Sequence, residues 1–540
     1  MAALRVAVQH ARMLDVRDLQ ARDLQGLSPE ALAGLAEQMR LHIGQQGQQI
    51  ASQAQAIRLR DAKIERITFE LARLKAWKFS ARTERMSAEQ RQLFEETAAA
   101  DEASLQTQLE ALQGSAGTTA AAPALDTKRR PRRQPLPEHL PRVEHRHEPE
   151  DTTCECGRAM QRIGEDTSER LDIVPAQFFV HRHIRGKWAC KACQCLVQEP
   201  VEPQVIDSGM PAAGLVAHTL VSHFVDHLPY YRLEQINARS QVHTPRSTLA
   251  AWSGRGGAAL QPLFEAQREF VLGAAVLQAD ETPVAMLDPG AGKTKKAYVW
   301  AYARGAFDEL RGVVYDFCLG RGGQYPAAFL KGWSGTLVRD EHKGYEALMK
   351  IGQRKAAGCL AHARRKFDEL IKDNQSPVAL EAVRRIAWIY RIEAEARDWP
   401  EKDRLALRQA QAQPHWDGLH AWLRLERQRV PDGSAIAGAI DYSLNHWAAL
   451  TVNLQDGTVP VDNNHVENLM RCWAMGRKAW LFAGSELAGQ RAAVVMSLAQ
   501  SAKLNGHDPW VYFKDVLTRL PTHMNSRIED LLPHRWQPPG

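Results

Sequence analysis

The chain has 540 residues, 44% of them hydrophobic, and a formal net charge of +6. That length implies several domains, and that charge permits nucleic-acid binding without requiring it. No run of 18 apolar residues occurs, which argues against a membrane-spanning helix, and the N-terminus breaks its apolar positions with Arg, His and Asp too early for an export signal. Five of the eight cysteines fall between Cys154 and Cys195. In a chain without export signals such clustering points to metal rather than disulfides, hence to a reducing, cytoplasmic compartment.

Residues 1–113 read as a helical region, with an Ala-, Gln-, Leu-, Glu- and Arg-rich helix from residue 28. Ile43, Ile50, Ile57, Ile64 and Leu71 recur every seven residues, while the companion positions Gln46, Gln53, Arg60, Ile67 and Leu74 are mixed. One apolar seam with a weaker second admits two readings: a coiled coil joining two copies of the chain, or a long helix packed on its own domain. Residues 114–150 form a basic, Pro-rich linker that stays extended. Its run Lys128-Arg129-Arg130-Pro131-Arg132-Arg133 either sits on phosphates or is simply solvated.

In residues 151–200, Cys154 and Cys156 precede Cys190 and Cys193 across a β-rich stretch. Four thiolates satisfy tetrahedral Zn2+, so a structural zinc ribbon is expected on these four, with Cys195 spare or substituting for one of them. Residues 201–262 carry apolar helical spacing from Ala212 to Asp226, a second helix after Pro229, and Thr244-Pro245-Arg246 opening a third. Thr244 as N-cap and Pro245 as first helical residue fit helix chemistry. The pattern is that of a helix-turn-helix DNA reader with Arg246 near its start, or of an ordinary helical hairpin.

From residue 263 the order becomes informative. Val271 to Asp280 reads as a buried strand that ends in a carboxylate. Strands follow at 296–302, 312–318, 336–340 and 356–360, with helices near 322–333 and 345–351 and a basic helix from His362. Three consecutive strands followed by strands alternating with helices is the order of a ribonuclease-H-like sheet, in which the first and fourth strand tips lie side by side. Asp280 and Asp340 occupy those tips. Glu467, at the start of a later helix, lies 127 residues beyond Asp340. That gap is too long for a loop and is read as a helical insertion, about residues 366–458, within a catalytic domain spanning 263–500. A helical tail, 501–540, closes the chain. Buried carboxylates need a partner or a metal, and three of them suit a pair of hard cations that clamp the attacking and leaving oxygens of phosphoryl transfer. Each acid also has a plain reading: Asp280 and Asp340 as strand-end turn residues, and Glu467 as part of a capping box with Asn464.

The segments Ala279-Asp-Glu-Thr-Pro283, Arg339-Asp-x-x-x-Gly-Tyr345, Cys359-Leu-Ala-His-Ala-Arg-Arg-Lys-Phe367 and Asp462-Asn-Asn-x-x-Glu-Asn-x-x-Arg471 resemble insertion-sequence sixty-six family transposases. Gly476-Arg-Lys-x-Trp-Leu-Phe-Ala-Gly-Ser485 and Ser501-Ala-Lys-Leu-Asn-Gly-His-Asp-Pro509 extend the resemblance. It implies a bacterial, nucleoid-associated DNA transposase acting on double-stranded terminal inverted repeats and target DNA. It implies Asp280, Asp340 and Glu467 as the catalytic triad, with Mg2+, or Mn2+ in its place. Cys359 and His362 match a C-x-x-H signature and are given a supporting role, as are Asn464 and Arg471. Arg477 and Lys478, with Arg246, Arg129 and Arg130, are the expected DNA contacts. A homodimer or larger assembly, and small accessory proteins of the same element, are the expected partners. Glu341 departs from the family pattern and competes as a ligand. Two other readings stay open: an inactive DNA-binding relative, and a different ribonuclease-H-like nuclease.

Overall fold

The computed structural model describes residues 29–80, 101–109, 112–113 and 136–539, the last apart from short stretches at 150, 154–157, 175–176, 207–208, 289–292, 341–342, 350–352, 375 and 481. The chain divides into two compact units: residues 1–73 with 109–119, and residues 74–108 with 120–540. The basic run with Arg129 and Arg130, Cys154, Cys156 and Glu341 lie outside the described residues. Among the described residues, no helix is long and apolar enough to cross a membrane.

The first unit holds most of a helix, α1, Pro29–Ser80. Along it Ile43, Ile50 and Ile57 are 64%, 65% and 48% exposed, whereas Ile67 and Leu71 are buried. The regular seam is therefore open to solvent over its first three repeats.

The second unit begins with a sheet of β1 (Arg142–His147), β2 (Gln161–Val174), β3 (Gln177–Ala189) and β4 (Leu196–Gln198). β1 runs parallel to β3, and β2 and β4 run antiparallel to it. The end of β2 near Leu171 and Ile173 is buried, and the far end is exposed. At the far end an antiparallel bridge joins Thr153 and Ala159. Nearby, Cys190 N–H donates to the Cys195 carbonyl and Gln194 N–H to the Cys190 carbonyl, closing a tight turn.

Four helices follow. They are α2 (Ala213–Leu220, continued by a π-turn to Val225), α3 (Tyr230–Arg239), α4 (Arg246–Ala259) and α5 (Gln261–Leu272). Pro245, with extended ψ, caps α4 itself, and Thr244 is buried and makes no side-chain cap. The expected Thr244 cap is thus displaced by one residue, because the proline's missing N–H suits the cap as well as the first turn.

The central sheet contains β5 (Val276–Asp288), β6 (Lys293–Arg304), β7 (Val313–Cys318), β8 (Gly335–Val338) and β9 (Arg354–Ala357). Its order is β7-β6-β5-β8-β9. The first three strands are antiparallel, and β8 and β9 join parallel to β5. β6 presents Ala297, Val299, Ala301 and Ala303 to one core and Trp300 and Tyr302 to another. The small side chains admit a helix on their face.

The chain then forms α6 (Leu360–Asn374), α7 (Pro377–Glu395), α8 (Glu401–Leu407), α9 (Gln413–Arg427) and α10 (Ala435–Asn445). These share their own core around Ile386, Ile389, Trp416 and Ile440. A buried ion pair, Arg408–Glu393 at 2.7 Å, sits inside it, and Arg408 also donates to the carbonyls of Asn453, Asp456 and Val459. Entry and exit of this helical group are joined, with Gly358 N–H donating to Ala449 and Leu360 N–H to Val461.

α11 (Asn464–Trp480) returns along β5, and Ala483 after it bonds both Ala285 and Leu287. α12 (Glu486–Leu504) runs unbroken across residue 500, where the sequence reading placed the start of a separate tail, and α13 (Pro509–Arg519) follows. On α12, Ser497 Oγ accepts from Tyr315 N–H and Ser501 Oγ from Val313 N–H. These hydroxyls satisfy the open edge of β7, which would otherwise invite another strand.

Candidate functional site

The strand carrying Asp280 is not the one expected. Val271 and Leu272 end α5, and β5 starts at Val276 and runs through Asp280 to Asp288. Asp280 is therefore inside a long strand rather than at its tip. The neighbouring strand supplies the equivalent of a tip, because β8 pairs with β5 only from Val276↔Thr336 to Gln278↔Val338. Beyond that rung β5 becomes an edge on this side, which also explains how Pro283, lacking an N–H, is accommodated. Two residues past the last paired rung stand Asp280 on one chain segment and Asp340 on the other.

Glu467 arrives in the first turn of α11, its N–H donating to the Asn463 carbonyl. The start of α11 is stitched to β5 beside Asp280. Asn463, fully buried, donates through Nδ2 to the Ala279 carbonyl at 2.7 Å. Gln278, also fully buried, donates through Nε2 to the Asp462 carbonyl at 3.2 Å. The electrostatics register the resulting convergence. Burial pushes the Asp280 carboxyl up to about 7, and the charges of Glu281, Glu467 and Asp340 push in the same direction.

Around Glu467 lie Cys359 and His362, one ligating atom of each within 4.8 Å of the others. Cys359 Sγ accepts from Asn463 N–H at 3.2 Å, and burial pushes its thiol up to about 12, so it stays protonated near neutral pH. His362 Nδ1 is 3.6 Å from Glu467 Oε1, and both atoms are buried without a hydrogen-bond partner. Arg365 reaches Glu467 Oε2 at 3.3 Å.

The remaining named residues separate. Asn464 bonds Asp462 through both its backbone and side-chain nitrogens, at 3.1 and 2.7 Å. The helix start is thus capped by Asp462, and Asn463 rather than Asn464 reaches the strand. Arg471 is exposed, and Glu467 is ion-paired with Arg365 instead. Arg477 donates to Thr282 Oγ1 and the Pro283 carbonyl, so its guanidinium ties α11 to β5, while Lys478 is exposed. Arg246, half-buried, opens α4. Cys190 is buried and Cys193 exposed at the tight turn that ends in Cys195.

Sequence reasoning missed Glu281, Arg321, Tyr345, Gln278 and Arg365. Glu281 is buried on the strand face opposite Asp280 and is held by Arg321 and, at 3.2 Å, by the Tyr345 hydroxyl. Period-two alternation in a strand was the available signal, since adjacent acids must face opposite sides.

The donor set of Asp280, Asp340 and Glu467 is all oxygen, which suits a hard divalent cation. Crowded carboxylates and the partnerless buried Glu467 Oε1 are what such a site looks like in its own right. The residues therefore have the chemistry to hold a hard divalent cation.

Comparison with known proteins agrees in four places. Residues 208–491 match the model of the IS66 transposase family. Residues 151–194 match the zinc-finger binding domain of IS66 transposases, residues 497–534 the IS66 C-terminal element, and residues 66–144 a domain described as transposase C of IS166 homeodomain. The uncharacterized protein y4jD of Sinorhizobium fredii is 38% identical over 74% of this chain and 81% of its own length. The uncharacterized protein y4qI of the same organism is 37% identical over 76% and 79%. A mixed α+β chain with a zinc-finger domain and converging acids on a central sheet, matched over more than half its length, belongs to the IS66 family of transposases.

Proposed function

We propose that this chain cuts DNA at the ends of its own element and joins those ends to target DNA, using a ribonuclease-H-like domain with Asp280, Asp340 and Glu467 as its catalytic residues. The observation that carries the reading is the placement of Asp280 and Asp340 at equivalent positions beyond the Gln278–Val338 rung, with Glu467 close enough to raise the Asp280 pKa. These three residues would hold Mg2+, or Mn2+, whose chemistry is to activate an oxygen nucleophile and neutralise charge on the phosphate. The protein's part is positioning. Asn463 and Gln278 lock α11 against β5, Arg365 and His362 flank Glu467, and Cys359 holds the turn before it. Water first displaces a 3′ oxygen from phosphorus, and the freed 3′ hydroxyl then attacks a phosphorus of the target strand, expelling that strand's own 3′ oxygen, which leaves as a hydroxyl.

The cysteines Cys154, Cys156, Cys190 and Cys193 are assigned to a structural Zn2+, since the zinc-finger match ends before Cys195. Double-stranded DNA is the assigned partner, and Lys478, Arg471 and Arg246 are assigned to contact it. The open Ile43–Ile50–Ile57 seam is assigned to a second copy of the chain. The working compartment is the bacterial cytoplasm.

The test is nicking of duplexes carrying element ends. Asp280→Ala should keep end binding in a gel shift and lose magnesium-dependent cleavage. Cleavage retained by the purified variant rejects the reading.

A further inference from the structure

A row of imidazoles on the first sheet takes no part in the site above. β1 lies parallel to β3 with His145 opposite His183. Because side chains alternate faces along a strand, His145, His147, His181 and His183 share one face. The inner pair is satisfied internally. Asp172, buried, accepts from His181 Nε2 at 2.7 Å, which leaves His181 Nδ1 to accept from His145 Nε2 at 2.9 Å.

The outer pair repeats this nitrogen-to-nitrogen contact one step along the sheet. His147 Nε2 and His183 Nδ1 are 3.1 Å apart. Two nitrogens bound to one tetrahedral zinc at ordinary bond lengths stand about 3.3 Å apart. Glu202, from the segment after β4, brings a carboxylate oxygen to 3.8 Å from Nδ1 of His147, the other nitrogen of that ring. One ligating atom from each of the three residues lies within 4.8 Å of the other two. A cavity of about 300 Å3, lined in part by His145, His181, His183 and Glu202, gives solvent a path to them.

We propose that His147, His183 and Glu202 form a second metal site, for a divalent transition ion of the zinc class. Imidazole and carboxylate are the ligands such ions take, and the fourth position is left to water. It is separate from the cysteine knuckles, because Cys190 lies seven residues beyond His183, roughly 20 Å along the chain. The ion joins three segments otherwise held by backbone pairing or loop contacts: β1, the middle of β3 and the chain after β4.

The experiment measures zinc in the full-length protein after zinc loading and desalting, and the visible spectrum after cobalt exchange. His147→Ala/His183→Ala should hold about one zinc fewer per chain than wild type, with the thiolate-to-cobalt charge-transfer bands of the cysteine site unchanged. Equal zinc content in variant and wild type overturns the proposal. So does a Cys190→Ser/Cys193→Ser protein that retains native circular dichroism and holds no zinc. Should the double histidine variant fail to fold, Glu202→Gln decides, because Glu202 is 64% exposed and outside the core. Its zinc affinity, from competition with a chromophoric chelator, should fall at least about tenfold at one class of site. Unchanged affinity at every site overturns the assignment.

Discussion

Asn463 donates from its side-chain amide to the backbone carbonyl of Ala279, the residue before Asp280, at 2.7 Å. A helix that supplies one acid is thereby fixed to the strand that supplies another. Asn463→Ala removes this tie and leaves a buried carbonyl unsatisfied, so it should cost about 1–3 kcal/mol of stability. It should also slow nicking by roughly 10–100-fold, since small misplacements of reacting groups are that costly. Single-turnover nicking at saturating magnesium checks this, with end binding as the control. A wild-type rate would mean that Glu467 is positioned by something else.

The raised pKa of Asp280 makes a stability prediction with a definite sign. Below about pH 4 the carboxyl is protonated in folded and unfolded chains alike and contributes nothing. As pH rises from there toward about 7, only the folded state retains the proton, and ionisation increasingly opposes folding. Above about 7 the penalty is complete, at most on the order of 4 kcal/mol. Asp280→Asn should therefore melt higher than wild type at pH 8 in chelator and equally at pH 4. Saturating magnesium should narrow the gap by stabilising wild type. Identical melting curves at pH 8 would show that the carboxylates are not crowded.

Arg408 and Glu393 form a closed ion pair in the core of the helical group. Arg408→Met strands the Glu393 carboxylate and should destabilise by about 3–5 kcal/mol. Arg408→Met/Glu393→Leu should recover most of that loss. Urea unfolding followed by circular dichroism measures both. A double variant as unstable as the single one would place the cost in the lost carbonyl contacts of Arg408 instead.

Arg477 and Lys478 are neighbours with different expected behaviour. Arg477 is committed to Thr282 and Pro283, whereas Lys478 is exposed. Lys478→Ala should lower the slope of log affinity against log salt by about 1, as loss of one phosphate contact does. Arg477→Ala should leave that slope alone and reduce melting temperature. The reverse pattern would return Arg477 to the DNA surface.

The acids were legible because each follows or opens an element whose pattern is plain: the apolar run before Asp280, the one before Asp340, and the helical spacing after Glu467. The boundaries were not. Val271 to Val276 is continuously apolar, so the end of α5 and the start of β5 merge in the sequence. Glu281, on the strand face opposite Asp280, is held by Arg321, a contact 40 residues away that no local pattern announces. Nothing local separates Asn463 from Asn464 at the start of the helix; only the packing of α11 on β5 turns Asn463 inward. The imidazole row likewise exists only once β1 and β3 are in register.

The bonds from Gly358 to Ala449 and from Leu360 to Val461 make the helical group leave and rejoin the central sheet through one narrow doorway. The first helix past that doorway carries His362 and Arg365 to Glu467, so the base of the appendage belongs to the surroundings of that acid. Evolution or a protein engineer can lengthen, trim or exchange the outer helices as a cartridge, provided that first helix stays in place.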